Sequence, residues 1–295
     1  MEIDEKILEK TSTLVEALPY IQKFRGKVFV IKYGGSAMKD ENLKRQVMQD
    51  LAILKSVGIR PVLVHGGGKE ISRWVEKAGG QTTFVKGLRV TDNYTMEVVE
   101  MVLNRVNKSL VQHLNGLGVQ SVGLSGKDAN LARCVKKYVD GEDIGFVGDV
   151  VKIDPTILNR LIEDDYIPVI CPIGYDEHGN SYNVNADDMA CAIAASMGAE
   201  KLAFLTDVDG IYKDFNDKSS RVTRMNLDEA QAFVDSGELN GGMLPKLQSC
   251  INALKKDVNV VHILDGRVPH CLLLEIFTKQ GIGTMIEKSI EGYVD

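Results

Sequence analysis

Short apolar runs rich in β-branched residues alternate along this chain with longer segments in which apolar residues recur every three or four positions. The first pattern predicts buried strands, and the second predicts amphipathic helices. Their alternation is typical of βαβ units, so we expect an α/β fold with a largely parallel sheet. The predicted strands are Lys27 to Lys32, Pro61 to Val64, Val119 to Leu124, Ile167 to Cys171, Leu202 to Leu205 and Val258 to Leu264.

The helical pattern occupies most of the segments between these strands. The predicted helices are Glu41 to Val57, Lys69 to Ala78, Tyr94 to Leu117, Pro155 to Glu163, Asp187 to Met197, Asn226 to Ser236 and Met243 to Lys256. The stretch from Leu131 to Ile153 has instead the pattern of hairpins on a lid or edge, with Asp140-Gly141 at the first turn.

Residues 2–24 form a separate amphipathic segment ahead of the first strand. Its helical stripe consists of Ile7, Leu14, Leu18 and Ile21, with Leu8 and Val15 beside them, and Pro19 should interrupt or kink it. Such a helix can pack on its own subunit, which the pattern alone favours, or dock on a neighbouring subunit. With a candidate boundary at the polar turn 176–180, we expect an N-terminal helix at 1–25 and two lobes at 26–180 and 181–295 that share one sheet.

Length and composition narrow the class of protein. The 295 residues can bury a large core, and the formal charge of −6, with no long Lys/Arg tract, argues against nucleic-acid binding. The five cysteines include no pair at the spacing of a zinc or redox motif, and no apolar stretch approaches the roughly 18 residues that span a bilayer. We expect a cytoplasmic protein with reduced thiols and no membrane partner, and we assign no metal ligand.

Glycine-rich turns follow two of the predicted strands. Residues 32–35 read Lys-Tyr-Gly-Gly, and residues 65–68 read His-Gly-Gly-Gly. Glycine lets backbone N–H groups approach a phosphate, and the carboxyl ends of parallel strands share one crevice. Each turn alone could be purely structural, but the two together favour an anion site. A single His at a strand end is more often a structural hydrogen-bonding residue, and we favour that interpretation for His65.

The standard nucleotide signatures are absent. Gly68-Lys69-Glu70 and Gly126-Lys127-Asp128 both lack the Ser or Thr that ends a Walker A motif. The third glycine of the dinucleotide fingerprint is replaced by Ile71 in one candidate segment and by Ser121 in the other. A bound nucleotide would therefore lie in another kind of frame.

Residues 183–187, Asn-Val-Asn-Ala-Asp, place two amides and a carboxylate at alternate positions. Side chains two apart share a face of extended backbone, so we expect Asn183, Asn185 and Asp187 to converge on one ligand. Arg89, in Gly-Leu-Arg-Val-Thr-Asp, is either a surface charge or a planar fork held for a carboxylate, and its apolar neighbours favour the fork. Asp92 is most simply the N-cap of the following helix.

Two segments nearer the C-terminus can also face a ligand. Residues 206–212, Thr-Asp-Val-Asp-Gly-Ile-Tyr, follow a predicted strand and form either an ordinary acidic turn or the lining of an adenosine pocket. Gly241-Gly242, with Lys246 on the first turn of the next helix, provides a third helix N-terminus suited to a phosphate.

Taken in order, the segments at 32–35, 65–68, 87–92, 183–187 and 207–212, and Gly-Gly-Met-x-x-Lys at 241–246, resemble those of the acetylglutamate kinases of the amino-acid kinase superfamily. The resemblance covers nearly the whole chain. It implies a three-layer αβα sandwich around a mainly parallel open sheet. It also implies ATP-dependent phosphorylation of the side-chain carboxylate of N-acetyl-L-glutamate, in arginine biosynthesis, with Mg²⁺ accompanying ATP.

The resemblance also implies roles for individual residues. Lys32 and Lys246 would be the transition-state cations, and Asp187 the carboxylate that holds both. The substrate would contact Gly67, Gly68, Arg89, Asn183 and, less directly supported, Asn185. The residues assigned to ATP are Gly34, Gly35, Thr206, Asp207, Asp209, Gly210, Ile211, Tyr212 and Gly242.

The N-terminal helix resembles the extension of arginine-inhibited members, in which it links dimers into a hexamer. This implies a homo-oligomer with arginine as effector, at a site shaped by Tyr20, His262, Glu275 and Gly281.

Three alternatives stay open. A related kinase could act on a carrier-linked aminoadipate-type carboxylate, but Gly-Leu-Arg-Val-Thr-Asp favours the acetylated amino acid. A non-catalytic arginine sensor would not need the intact Lys32, Asp187 and Lys246. A nicotinamide-dependent dehydrogenase lacks its glycine fingerprint.

Overall fold

The computed structural model describes residues 5–38, 40–214, 217–237, 243–279 and 281–289. The helices are α1 Glu5–Phe24, α2 Glu41–Ser56, α3 Gly68–Lys77, α4 Asn93–Gly116, α5 Thr156–Glu163, α6 Ala186–Ser196, α7 Leu227–Asp235, α8 Met243–Lys255 and α9 Cys271–Phe277. The strands are β1 Val28–Tyr33, β2 Arg60–His65, β3 Phe84–Val85, β4 Leu88–Arg89, β5 Ser121–Ser125, β6 Ala132–Val139, β7 Glu142–Ile153, β8 Ile167–Cys171, β9 Ile173–Tyr175, β10 Ser181–Val184, β11 Lys201–Thr206, β12 Ile211–Tyr212, β13 Arg221–Val222, β14 Arg224–Asn226, β15 Val260–Asp265 and β16 Thr284–Glu287.

Eight strands form one open sheet in the order β14-β16-β15-β11-β1-β2-β8-β5. All neighbouring pairs are parallel except β15 and β16, which are antiparallel. The predicted strands and helices are confirmed, with ends that differ by a few residues. The short elements β14, β16 and α9 were not predicted, because each is too brief to show a clear period.

Helices cover both faces of the sheet. On one face α6 and α8 pack with Met189, Ile193, Leu247 and Ile251 in a buried cluster. On the other face α2, α4 and α9 contribute the buried residues Met48, Leu51, Leu110, Leu114 and Leu272. Strands β8, β11 and β15 are buried along their whole length, as expected for strands covered on both sides. The predicted three-layer αβα arrangement is confirmed.

The predicted hairpin region forms part of a small closed barrel of β6, β7, β9 and β10. Asp140 and Gly141, with φ of 52° and 84°, make the tight turn between β6 and β7. The polar turn chosen as a lobe boundary joins β9 to β10 within this barrel, and the division into two lobes stays a prediction. The barrel brings the end of β10 towards the carboxyl ends of the main strands, because β10 leads directly into α6.

The N-terminal helix α1 continues through Pro19, so the predicted interruption is wrong, and the alternative of a kink stays a prediction. It packs against α9, and Tyr20 lies partly buried on the core. Leu14, Val15 and Leu18 are instead 74%, 63% and 49% exposed. Part of the apolar stripe is therefore left uncovered by the chain itself, whereas the side chains of Ile7 and Leu8 lie outside the described residues. No helix among the described residues combines the length and apolar character needed to cross a membrane.

Candidate active site

A cavity of about 250 Å³ opens at the carboxyl ends of the central strands. Parallel α/β sheets place their ligands at this edge. The lining includes nine of the residues that the sequence singles out, namely Lys32, Gly34, Gly35, Gly67, Gly68, Arg89, Asn183, Asn185 and Asp187.

Lys32 and Asp187 form the charged centre of this cavity. Lys32 lies near the end of β1, Asp187 lies in the first turn of α6, and 2.9 Å separates Nζ from Oδ1. Both side chains are mostly buried, so solvent screens their attraction less than it would on the surface. Gly34 leaves room for the ammonium group, because a Cβ at this position would lie 2.6 Å from Lys32 Nζ.

Lys246 belongs to the same electrostatic cluster. It lies half-buried on the first turn of α8. Burial lowers the pKa of its ammonium group, the nearby Lys32 cation lowers it further, and the carboxylates of Asp187 and Asp207 oppose this shift. Among the described residues Lys246 makes no direct ion pair with Asp187. The carboxylate of Asp187 thus interacts electrostatically with both lysines, but only Lys32 forms an ion pair with it.

Asn183, Asn185 and Asp187 converge on the cavity as predicted. The backbone is extended through Asn185, but α6 begins at Ala186, so the extended interpretation is wrong for Asp187. Asn185 is the N-cap of α6, and its Oδ1 accepts hydrogen bonds from the N–H groups of Asp187 (2.7 Å) and Asp188 (3.3 Å). Asp187 therefore reaches the site from a helix, since Asn at an N-cap ends the extended backbone. Asn183 donates from Nδ2 to Thr91 Oγ1 at 3.2 Å.

Arg89 is held as a fork rather than left as a surface charge. It is 7% exposed, and Nη2 donates to the carbonyl of Gly68 (2.7 Å) and to Ser72 Oγ (2.9 Å). Its guanidinium also lies over the ring of Phe84, 4.9 Å from the centroid. Burial lowers the pKa of the guanidinium group. No carboxylate among the described residues pairs with Arg89, so a positive charge at the cavity wall is left for an anionic ligand.

The structural interpretations of two other residues are confirmed. Asp92 is the N-cap of α4, with Oδ1 accepting from Thr95 N at 2.7 Å. His65 is fully buried and hydrogen-bonded to Gly66 and Asn107.

The residues assigned to ATP divide into two groups. Asp207 lies against the first glycine turn, since a Cβ on Gly35 would be 2.3 Å from its Oδ1, and its Oδ2 is 3.8 Å from Lys69 Nζ. Asp207 does not itself line the cavity, and neither does the second group. In that group Thr206 and Ile211 are buried, and Gly210 lies against Thr284.

Asp209 and Tyr212, which belong to the second group, interact with each other. Burial and a hydrogen bond to Asp209 raise the pKa of Tyr212 to about 12. An adenosine pocket around them stays a prediction. Gly242 lies outside the described residues. No group of three or more His, Cys, Asp or Glu in the described part of the chain could hold a metal ion.

The residues assigned to the effector surround a second polar cluster at the opposite side of the sheet from α6. His262 Nδ1 is 2.7 Å from Glu275 Oε1, and the Oε2 atom accepts from Ile282 N at 2.7 Å. A Cβ on Gly281 would lie 2.8 Å from Glu275 Oε2. Tyr20 lies on α1, which packs against the helix that carries Glu275.

Sequence reasoning missed Lys69 and Lys201. Lys69 follows the second glycine turn directly and reaches Asp207, so its position in the sequence was a usable signal. Lys201 is buried, and its Nζ lies 2.9 Å from His262 Nε2 and 5.0 Å from the ring centroid of Phe24. A lysine that opens an apolar strand was the only hint, because its partners are distant in the chain.

Comparison with known proteins identifies the family of this chain. The model of the amino acid kinase family matches residues 27–265. Acetylglutamate kinase of Campylobacter jejuni (strain RM1221) is 55% identical over 282 residues, which cover 96% of this chain and 99% of that protein. Acetylglutamate kinase of Thermoanaerobacter pseudethanolicus is 54% identical, with 95% and 94% covered.

Solved structures show the same fold. N-acetylglutamate synthase from Neisseria gonorrhoeae, complexed with coenzyme A and N-acetyl-glutamate, has a TM-score of 0.84 at 27% identity, covering 95% of this chain but only 63% of the synthase. Carbamate kinase from Giardia lamblia bound to AMP-PNP has a TM-score of 0.64 at 16% identity, covering 90% and 99%. At that identity the second similarity establishes the fold alone. The chain therefore belongs to the amino acid kinase family and, within it, to the acetylglutamate kinases.

Proposed function

We propose that this chain transfers the γ-phosphoryl group of ATP to the side-chain carboxylate of N-acetyl-L-glutamate, giving ADP and an acyl phosphate. The observation that carries the proposal is the pairing of Lys32 with Asp187 in a cavity whose wall also holds Arg89, a cation with no described carboxylate partner. Lys32 suits the reacting phosphoryl and carboxylate groups. Arg89 suits a second carboxylate of the substrate, which does not react.

The chemistry needs neutralisation of charge rather than a general base. The acceptor carboxylate is already ionised near neutral pH, since the reference pKa of a Glu side chain is about 4.3. Its approach to the γ-phosphate brings two anions together, so catalysis depends on positioning and on cations that stabilise the transition state. Lys32 and Lys246 supply these cations, and Asp187 keeps their mutually repelling ammonium groups close to one another.

The substrate lies with its α-carboxylate on the Arg89 fork and its amide near Asn183. The glycine turns at Gly34, Gly35, Gly67 and Gly68 offer backbone N–H groups to the transferring phosphate. Asn185 acts by fixing the start of α6, because its Oδ1 atom caps the helix that carries Asp187.

Mg²⁺ that accompanies ATP would be held mostly by phosphate oxygens, since Mg²⁺ keeps several of its waters and needs few protein carboxylates. Asp207 is the carboxylate closest to the first glycine turn. The adenosine lies against residues 206–212, and Gly242, which lies outside the described residues, is assigned to the phosphates of ATP.

Arginine is the proposed feedback effector, at the cluster of Tyr20, His262, Glu275 and Gly281. Glu275 is buried, and a buried carboxylate beside a small polar cluster suits the guanidinium or ammonium group of such a ligand. The exposed Leu14, Val15 and Leu18 on α1 support docking onto a neighbouring subunit, and we propose dimers linked through α1 into a hexamer. The enzyme works in the cytoplasm, in keeping with five cysteines that are all buried and reduced.

A coupled assay of ADP release tests the function directly. N-acetyl-L-glutamate, glutamate, aspartate and carbamate are compared as acceptors, each with and without arginine. We expect strong preference for N-acetyl-L-glutamate and inhibition by arginine. Faster turnover with unacetylated glutamate would overturn the proposed substrate, whereas the absence of arginine inhibition would overturn only the proposed regulation.

A further inference from the structure

His65 lies at the end of β2, directly before the second glycine turn, and is completely buried. Its ring has two polar neighbours: Nδ1 is 2.7 Å from the carbonyl oxygen of Gly66, and Nε2 is 3.2 Å from Nδ2 of Asn107 on α4. Burial lowers the pKa of the imidazole to about 4. The ring is therefore neutral near pH 7 and carries a proton on only one of its nitrogens.

The surrounding groups determine which nitrogen carries that proton. Asn107 is 1% exposed, and its amide lies 2.8 Å from the carbonyl of Val169, which can only accept, so the NH₂ group must face that carbonyl. The nearer acceptor for the other N–H of this NH₂ group is Nε2 of His65 at 3.2 Å, whereas the carbonyl of Leu124 lies at 3.5 Å. Nε2 therefore presents its lone pair. The proton lies on Nδ1 and is donated to Gly66. The Gly66 carbonyl, at the other end of this series of hydrogen bonds, can also only accept, which requires the same tautomer of His65.

This hydrogen bond sets the direction of the next backbone N–H. The described peptide bonds are all trans, so the carbonyl of Gly66 and the N–H of Gly67 point in opposite directions. His65 holds that carbonyl against the core, and the Gly67 N–H consequently points away from it, on the side where both glycines line the cavity with Lys32. No described residue accepts a hydrogen bond from this N–H. Gly67 is also the N-cap of α3, whose dipole adds positive potential.

We propose that Asn107 and His65 form a positioning relay that directs the Gly67 N–H at the negative charge of the transferring phosphoryl group. Asn107 fixes the tautomer of His65, and His65 fixes the orientation of the Gly66–Gly67 peptide. His65 itself exchanges no proton with the substrate. The relay rests on the phosphoryl transfer proposed above, and it assigns a purpose to a polar chain that runs from β8 through α4 to the glycine turn.

Two substitutions of His65 separate the relay from a simple packing role. In His65→Asn the side-chain NH₂ group takes the place of Nδ1 and can still donate to Gly66. In His65→Gln the amide takes the place of Nε2, so it can contact Asn107 but cannot donate to Gly66. We expect His65→Gln to lower kcat about 10²-fold, the usual effect of losing one preorganised donor, and His65→Asn to stay within about 10-fold of wild type. The KM for N-acetyl-L-glutamate should change little in both.

Thermal unfolding of the two variants provides the matched control. If the loss of kcat in each variant parallels its loss of melting temperature, and does not depend on whether the amide replaces Nδ1 or Nε2, His65 has only a packing role and the relay is overturned. Equal kcat values in two equally stable variants would overturn it as well.

The tautomer can be measured without any activity. Magic-angle-spinning NMR of the wild-type enzyme with ¹⁵N-labelled histidine, with the His65 signals assigned by their loss in His65→Asn, should show a protonated Nδ1 and an unprotonated Nε2 at pH 7. The opposite tautomer would overturn the relay. If the wild type does not phosphorylate N-acetyl-L-glutamate, the proposed function fails while this tautomer result stands, so the two failures are distinguishable.

Discussion

Lys32 and Asp187 meet at 2.9 Å between Nζ and Oδ1, which joins the end of the central strand β1 to the first turn of α6. The ammonium group is thereby held at the cavity by a carboxylate that lies at a helix N-terminus, where negative charge is itself stabilised. We propose that Asp187 serves as an orienting group in this arrangement, because the acceptor carboxylate of the proposed reaction has no proton to remove.

The first prediction concerns the role of Asp187. Asp187→Asn should lower kcat about 10²- to 10³-fold, since Lys32 loses the carboxylate with which it pairs and Lys246 loses a nearby negative charge. The acidic limb of the pH–kcat profile should stay where it is in wild type. Asp188→Asn, which alters the next carboxylate of the same turn, serves as the control and should retain most of the activity. Loss of an acidic titration only in Asp187→Asn would instead identify Asp187 as an acid or base.

Substitution of Lys246 tests whether this second cation takes part in phosphoryl transfer, although it makes no described ion pair with Asp187. Lys246→Ala should reduce kcat about 10²- to 10³-fold with an unchanged melting temperature, because its ammonium group acts in the transition state. Lys255→Ala, in the last turn of the same helix, should have near-normal kcat. Normal turnover of Lys246→Ala would remove this lysine from the mechanism.

Arg89 should act in binding rather than in the chemical step. Arg89→Ala is expected to raise the KM for N-acetyl-L-glutamate about 10-fold or more with a smaller change in kcat, since the α-carboxylate does not react. Arg89→Lys should recover little, because an ammonium group cannot reproduce the planar fork. Arg73→Ala, on the exposed side of α3, is the matched control, and an unaltered KM in Arg89→Ala would contradict the assignment.

The proposed arginine site can be separated from catalysis through Glu275. Hydrogen bonds from His262 and from the backbone N–H groups of Ile282 and Gly283 outweigh the effect of burial and lower the pKa of Glu275 to about 2. Glu275→Gln keeps the shape but removes the charge, so it should weaken inhibition by arginine about 10-fold or more while kcat without arginine stays within about 2-fold. Asp235→Asn, an exposed carboxylate on α7, should leave inhibition intact. Undiminished inhibition in Glu275→Gln would exclude this site.

Site residues could be predicted from the sequence where a local motif identifies them. The glycine turns, Lys32, Arg89 and the Asp92 cap could be located because each combines a strand end or helix start with a characteristic residue. Asn185 shows the limit: an amide before a helix looks the same whether it binds a ligand or caps the helix, and only the structure shows its Oδ1 bonded to Asp187 N. The extended backbone expected here holds at Asn185 but fails at Asp187, because the cap starts α6 at Ala186.

Pairings across the fold could not be found from the sequence. Lys201 meets His262, and Asn107 meets His65, only because β11 lies beside β15 and α4 packs over β8. No spacing rule links such residues. The edge strand β14 and its neighbour β16 were not predicted for another reason, since segments of three or four residues contain too few positions to define a period.

The last prediction concerns the pH dependence of stability that His65 confers. Its folded pKa of about 4 lies below the ordinary value of 6.5, so between these values the unfolded chain binds a proton that the folded chain does not. The contribution of neutral His65 to the free energy of unfolding is fully present above pH 6.5 and is lost as the pH falls towards 4. At about 1.36 kcal/mol per pKa unit, the maximal loss is about 3 kcal/mol.

Urea unfolding of wild type and His65→Asn at several pH values between 4 and 7 measures this contribution. Asparagine does not titrate, so the difference in free energy of unfolding between the two proteins should change by up to about 3 kcal/mol across this window, with wild type losing more on acidification. All other titrating groups, His262 among them, are common to both proteins and cancel in the difference. A difference that stays constant from pH 7 to pH 4 would show that His65 is not held neutral in the fold.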